Sequence, residues 1–107
     1  MLFHIGYVST ESRPMTTSDR VALLHQARSR NEGLRLTGLL LHRDDSFFQV
    51  LEGEAESVHT VFESIRRDPR HERVEVLFEG AIEAREFPDW RMGFVDLDGI
   101  DIDEMPG

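Results

Sequence analysis

The apolar pattern of this chain changes period abruptly, and that change restricts the fold more than any other feature. From Ser46 to Leu51 it alternates: Phe47, Gln49 and Leu51 lie on one side, Phe48 and Val50 on the other, the period of a strand. From Val58 it recurs at i, i+3, i+4 and i+7 through Val61, Phe62 and Ile65, which is one face of a helix. Gly53 closes the strand. Pro69 stops the helix, predicted from Ala55 to about Asp68, because the residue before a proline leaves the helical region. A strand that leads into an amphipathic helix buries both apolar faces when the helix folds back over the sheet.

The same switch occurs earlier in the chain. Leu2 to Ser9 reads as a strand with Phe3, Ile5 and Tyr7 on one face, and Thr10 to Met15 as a loop broken by Pro14. Thr16, Thr17 and Ser18 are candidate N-caps of a helix reaching Arg30 or Asn31, with Val21, Leu24 and Ala27 along its buried stripe. Asn31 continues that stripe one turn past Ala27, and Gly33 suits the C-terminal end. Leu34 to His42 is a second strand, joined through Arg43-Asp44-Asp45 to the strand at Ser46. Arg73 to Ala81 forms a fourth strand, and a fifth places Trp90, Met92 and Phe94 on one face. This order, βαββαββ, predicts an α+β, ferredoxin-like fold: a five-stranded mixed sheet with two helices on one face. Right-handed crossovers bring both helices to the same side. One domain is expected over 1–96, followed by an acidic tail at 97–107.

Charge and composition remove several functional classes. With 12 basic against 21 acidic residues the formal charge is −9, a poor match for nucleic acid. No apolar run is long enough for a bilayer, and Met1-Leu2-Phe3-His4 lacks the basic start of a secretory signal, so a cytoplasmic, membrane-free protein is expected. The absence of cysteine excludes disulfides and thiolate metal sites. His4, His25, His42, His59 and His71 show no metal-ligand pairing. The acidic run from Asp96 to Glu104 lacks EF-hand spacing, and no nucleophile motif or glycine-rich phosphate loop is present.

Three polar residues need a joint explanation. The folded order brings Tyr7, Asn31 and Gln49, from separate segments, into one apolar layer. A buried phenol or amide left without a partner costs about 1–3 kcal/mol. They either satisfy one another in a plain core or line the edge of a flat, aromatic, polar-edged ligand.

At this point the sequence resembles the BLUF family, sensors of blue light that use flavin adenine dinucleotide (FAD). The resemblance is carried by Ile5-Gly6-Tyr7-Val8-Ser9, by Ala27-Arg28-Ser29-Arg30-Asn31, and by Leu36-Thr37-Gly38-Leu39-Leu40-Leu41. It continues through Phe47-Phe48-Gln49-Val50-Leu51-Glu52-Gly53, Ile65-Arg66-Arg67-Asp68-Pro69-Arg70-His71 and Phe87-Pro88-Asp89-Trp90-Arg91-Met92. It implies that Asn31 holds the edge of the flavin ring and that Gln49 sits between the ring and Tyr7. In the family, light moves an electron from the tyrosine and a proton through the glutamine, whose hydrogen bonding afterwards differs. The resemblance further implies that Trp90 and Met92 relay the signal by exchanging places beside Gln49. Ile65, Asp68, Arg70 and His71 fall along the path of the cofactor, and Arg30 falls near a flavin carbonyl or phosphate, or in solvent.

Related chains with effector domains are longer, and stand-alone ones add C-terminal helices over the outer face of the sheet. The residues from Asp96 to Gly107 are too few and too acidic for such a cover. Either the outer face, with Phe48 and Val50 as candidates, pairs with another copy, or the sequence is a truncated piece lacking those helices; the expectation is a homo-oligomer, a dimer, signalling to a protein effector in trans. The competing readings are a flavin-free interaction module and a small hydrolase of the same fold using Asp68 and His71.

Overall fold

The computed structural model describes residues 1–96, and the tail expected at 97–107 lies outside the described residues. The elements are β1 (Leu2–Glu11), α1 (Thr17–Leu34), β2 (Thr37–Arg43), β3 (Ser46–Glu54), α2 (Ala55–Arg66), β4 (His71–Ala81) and β5 (Gly93–Asp96). They form one sheet of order β4-β1-β3-β2-β5. All pairings are antiparallel except β2 with β5, so the sheet is mixed and the fold ferredoxin-like.

The register lays inward residues in one row across four strands. Tyr7 is opposite Gln49, Gln49 opposite Leu40, and Leu40 opposite Phe94. α2 packs on β1, β3 and β4 through Val58, Val61 and Phe62, the residues whose spacing predicts it. Each such side chain, fully buried, contributes roughly 1.5–3 kcal/mol. Gly38 in the central β2 is required by close approach, because a Cβ there would lie 1.9 Å from the Val50 carbonyl oxygen.

Several boundaries differ from the sequence reading: β2 begins at Thr37 and not at Leu34, which is still helical, β3 runs on to Glu54 past Leu51, and β4 begins at His71 and not Arg73. β1 runs on to Glu11, because Glu11 N–H donates to Asp45 O (2.7 Å) and Ser12 N–H to Arg70 O (3.0 Å). α1 starts as expected, with Thr16 and Asp19 in a reciprocal capping box (3.0 Å each way). It continues past Asn31 to Leu34, and Arg35, not Gly33, takes the left-handed cap at φ 55°. A tertiary bond compensates that strained cap, since Arg85 Nη2 donates to Arg35 O at 2.8 Å. α2 ends at Arg66, short of Asp68.

The last difference matters most. β5 begins only at Gly93, so Trp90 and Met92 precede the strand and do not share a face by period two. Met92 is fully buried in the core, while Trp90 is half-buried, stacked on Phe87 (5.5 Å, 24°) with its ring over Gly93. The same segment alters the outer face. Gly38 N–H donates to Trp90 O (2.9 Å), and Gly93 pairs with Leu39, which pairs with Val50. Val50 is consequently buried and not part of an open surface; Phe48 is half-buried. Among the described residues of the sheet, the exposed large apolar side chains are instead Val76, Leu77 and Phe78 on β4 and Val95 on β5.

Candidate functional site

Tyr7 and Gln49 meet because β1 and β3 place them directly opposite one another on the inward face. The Tyr7 hydroxyl donates to Gln49 Oε1, and both side chains are buried. Phe62 of α2 presents its edge to the Tyr7 ring at 5.2 Å. Burial pushes the phenol well above its ordinary range; the nearby Arg30 charge draws it back in part, and Asp68 adds to the rise. Tyr7 is therefore a neutral phenol throughout the physiological range. With Oε1 occupied, the carboxamide turns Nε2 toward Met92 Sδ at 3.7 Å, a weak acceptor.

The elevated Tyr7 pKa has a consequence for stability. Above pH 10.0, the ordinary phenol value, the unfolded chain releases a proton that the folded chain retains. Stability is full below pH 10.0 and declines as pH rises beyond it. Tyr7 is the sole tyrosine, so tyrosinate absorbance is expected only together with cooperative loss of near-ultraviolet circular dichroism. A phenolate signal titrating near pH 10.0 in folded protein would mean that Tyr7 is open to water.

Asn31 is fully buried on α1. Its Nδ2 donates to Arg91 O (2.5 Å), and its Oδ1 accepts from Arg30 Nε (3.1 Å) and Nη2 (3.0 Å). Burial lowers the Arg30 guanidinium below its ordinary pKa, and among the described residues no carboxylate pairs with it. Arg30 lines a cavity between the two helices above the sheet. Leu23 and Ala27 of α1, Leu40 of β2, Phe47 of β3 and Ile65 of α2 supply its apolar walls; Tyr7, Ser9 and Gln49 supply polar groups. Asn31 itself faces Arg30 and the Arg91 carbonyl.

Asp68, Arg70 and His71 stand at the end of that cavity. Arg70 donates to both Asp68 carboxylate oxygens (2.5–3.0 Å), holding the Asp68 carboxyl below its ordinary value, and reaches Gln26 Oε1 of α1 at 3.2 Å. Outside this ion pair a wider groove continues past Gln26, Glu63 and Arg67. His71 is held on both ring nitrogens. Nε2 faces Ile65 O, which only accepts, so Nε2 carries a proton; Nδ1 faces Ser9 Oγ at 2.8 Å. These bonds take Asp68 and His71 to other partners, which is not the arrangement of an acid–base dyad.

The sequence reading passed over Arg28, whose Nε donates to Met92 O at 3.0 Å. Arg20, Leu24, Ala27, Arg28 and Asn31 form the buried face of α1, and a search for apolar periodicity skips its arginines. It also passed over Glu52, a fully buried carboxylate on β3.

The sequence profile described as "Sensors of blue-light using FAD" matches residues 2–93. The chain belongs to the BLUF family. BLUF domains are flavin-binding blue-light photosensors rather than enzymes. Among curated proteins, the photoactivated adenylate cyclase subunit beta of Euglena gracilis is 36% identical over 89 residues, covering 82% of this chain and 10% of the relative. The blue light- and temperature-regulated antirepressor BluF of Escherichia coli is 38% identical over 71 residues, 66% of this chain and 18% of the relative. The chain thus spans between a tenth and a fifth of these relatives' length. The dark-state structure of BlrB, a BLUF protein, superposes with a TM-score of 0.87 at 33% identity, covering 91% of this chain and 74% of that one. Klebsiella pneumoniae BlrP1, solved with FMN and cyclic diGMP, gives 0.86 at 37% identity, covering 94% and 27%. Among the described residues, no helix is long and apolar enough to cross a membrane.

Proposed function

We propose that this BLUF chain is a blue-light photoreceptor that holds FAD non-covalently between α1 and α2 and reads light through Tyr7 and Gln49. The observation that carries the reading is the buried Tyr7–Gln49 bond, with the other end of the amide on a thioether. Gln49 Nε2 has donor capacity that sulfur uses poorly, and Arg30 is a half-buried cation without a carboxylate partner among the described residues. Both suit the carbonyl-bearing edge of an isoalloxazine, and the apolar walls suit its faces. Asn31 and Arg30 would hold that edge, Ile65 would flank the ring, and Asp68, Arg70 and His71 would lie toward the ribityl chain and phosphates.

A bound flavin supplies absorption of blue light and, once excited, affinity for one electron. Tyr7 would be the donor of that electron, and its proton would pass along the existing hydrogen bond to Gln49 Oε1. When both return, the carboxamide is left with its donor and acceptor groups rearranged, an outcome available to an amide and not to a hydrocarbon. Met92, in contact with Nε2, takes the change to the start of β5, and Trp90 completes the relay. The message passes to a protein effector in trans. The exposed Phe78, opposite Gly6, and Val95, in the row of Leu41 and Phe48, lie on the outer face of the sheet and support a homodimer through it. Sedimentation at high concentration should give a dimer, and a strictly monomeric species would remove that part of the proposal.

A light-minus-dark absorption spectrum with cofactor extraction tests the whole. Purified protein should be yellow, show a small red shift that decays in the dark, and release FAD. Colourless protein that takes up no added flavin overturns the reading, and release of FMN or riboflavin alone overturns the choice of FAD.

A further inference from the structure

β3 carries a second buried polar group besides Gln49, on the opposite face and three residues along the strand. Glu52 is fully buried, and its two oxygens take three bonds. Oε1 accepts from Thr37 Oγ1 (2.8 Å) and from the backbone N–H of Phe87 (2.8 Å), while Oε2 accepts from the N–H of Glu86 (2.6 Å). Arg85 completes the knot: Nη1 donates to Thr37 Oγ1 (2.9 Å) and to Glu52 O (3.1 Å), and Nη2 to Arg35 O (2.8 Å). An acid removed this fully from water is retained only where its oxygens are well bonded.

What Glu52 holds is the chain that leads to β5. Residues 85–87 are tied to β2 and β3, and Gly93 opens β5. Between them the chain carries Trp90 on one side and Met92, beside Gln49, on the other. We infer that Glu52 is a positioning residue for the light signal: its carboxylate anchors the 85–87 segment and so limits the exchange of Trp90 and Met92 beside Gln49. This rests on the photosensor reading above. The two oxygens both face backbone N–H groups, so no rotation of an amide can satisfy both.

Glu52→Gln therefore loses one backbone bond, and the loss of one such bond corresponds to a roughly tenfold change in the population of the detached segment. Trp90 is the sole tryptophan, so dark-state fluorescence reports the segment directly. The variant should show red-shifted Trp90 emission, stronger acrylamide quenching and faster dark recovery, with the size of the flavin red shift unchanged. Thr37→Val, which removes one donor to Glu52 and one acceptor of Arg85 but leaves both backbone bonds to Glu52, should move the same readouts less, and serves if Glu52→Gln does not fold. Val58→Ala, on the buried face of α2, should lower the melting temperature and leave both readouts as in wild type. Wild-type quenching and recovery in both Glu52→Gln and Thr37→Val would overturn the inference, as would equal changes in Val58→Ala. A wild-type protein without a red shift would instead sink the photosensor reading, while Trp90 quenching in the dark still reports the anchor.

Discussion

Gln49→Leu protein should bind flavin, stay yellow and yield no red-shifted product under blue light. Leucine keeps most of the volume between β1 and β3, so the apolar walls at Leu40 and Phe47 retain their packing. It offers neither an acceptor to the Tyr7 hydroxyl nor a donor toward the cavity or Met92. The proton of Tyr7 then has no bonded acceptor, and nothing is left to rearrange. Because the buried hydroxyl loses its partner, the dark protein should also be destabilised by about 1–3 kcal/mol, visible in denaturant titration. A persistent, slowly decaying red shift in this variant would exclude Gln49 as the relay.

Tyr7→Phe should be equally silent to light for a different reason. Its ring keeps the edge contact with Phe62, and the cavity keeps its shape. The variant lacks an oxidisable phenol, and Trp90, the one tryptophan, is stacked on Phe87 away from the Tyr7–Gln49 pair. Gln49 Oε1 loses its donor, and a carbonyl oxygen left under-satisfied is tolerated better than an orphaned buried donor. The expected outcome is full flavin content, no red shift, and disappearance of the stability decline above pH 10.0. A normal photocycle in Tyr7→Phe would place the electron donor elsewhere.

Much of this architecture is legible in local pattern, and the departures share a cause. Val58, Val61, Phe62 and Ile65 predict α2, and alternation predicts β3, because apolar burial sets period in both. α1 is harder to read, since its buried face includes Arg20, Arg28 and Asn31 as well as Leu24 and Ala27. Its end is misplaced by one turn because Arg85, fifty residues downstream, stabilises the left-handed Arg35 through its carbonyl. No local signal at Gly33 reports that bond.

The candidate site divides the same way. Tyr7 and Gln49 stand out as polar residues within apolar alternation, and the strand register that makes them partners follows from the order of elements. The separation of Met92 from Trp90 does not follow from alternation, because the segment before β5 is held by side chains of Arg28, Asn31 and Glu52 and by a single backbone bond from Gly38, not by a strand ladder. Sequence alone determined the elements, their order and the pair of residues that face the cavity, since these depend on period and on handed connections between neighbours. Only the folded chain decided where helices stop, which side chain meets Gln49 and what anchors the approach to β5. Those outcomes depend on hydrogen bonds between residues far apart in sequence, and such bonds leave no periodic trace.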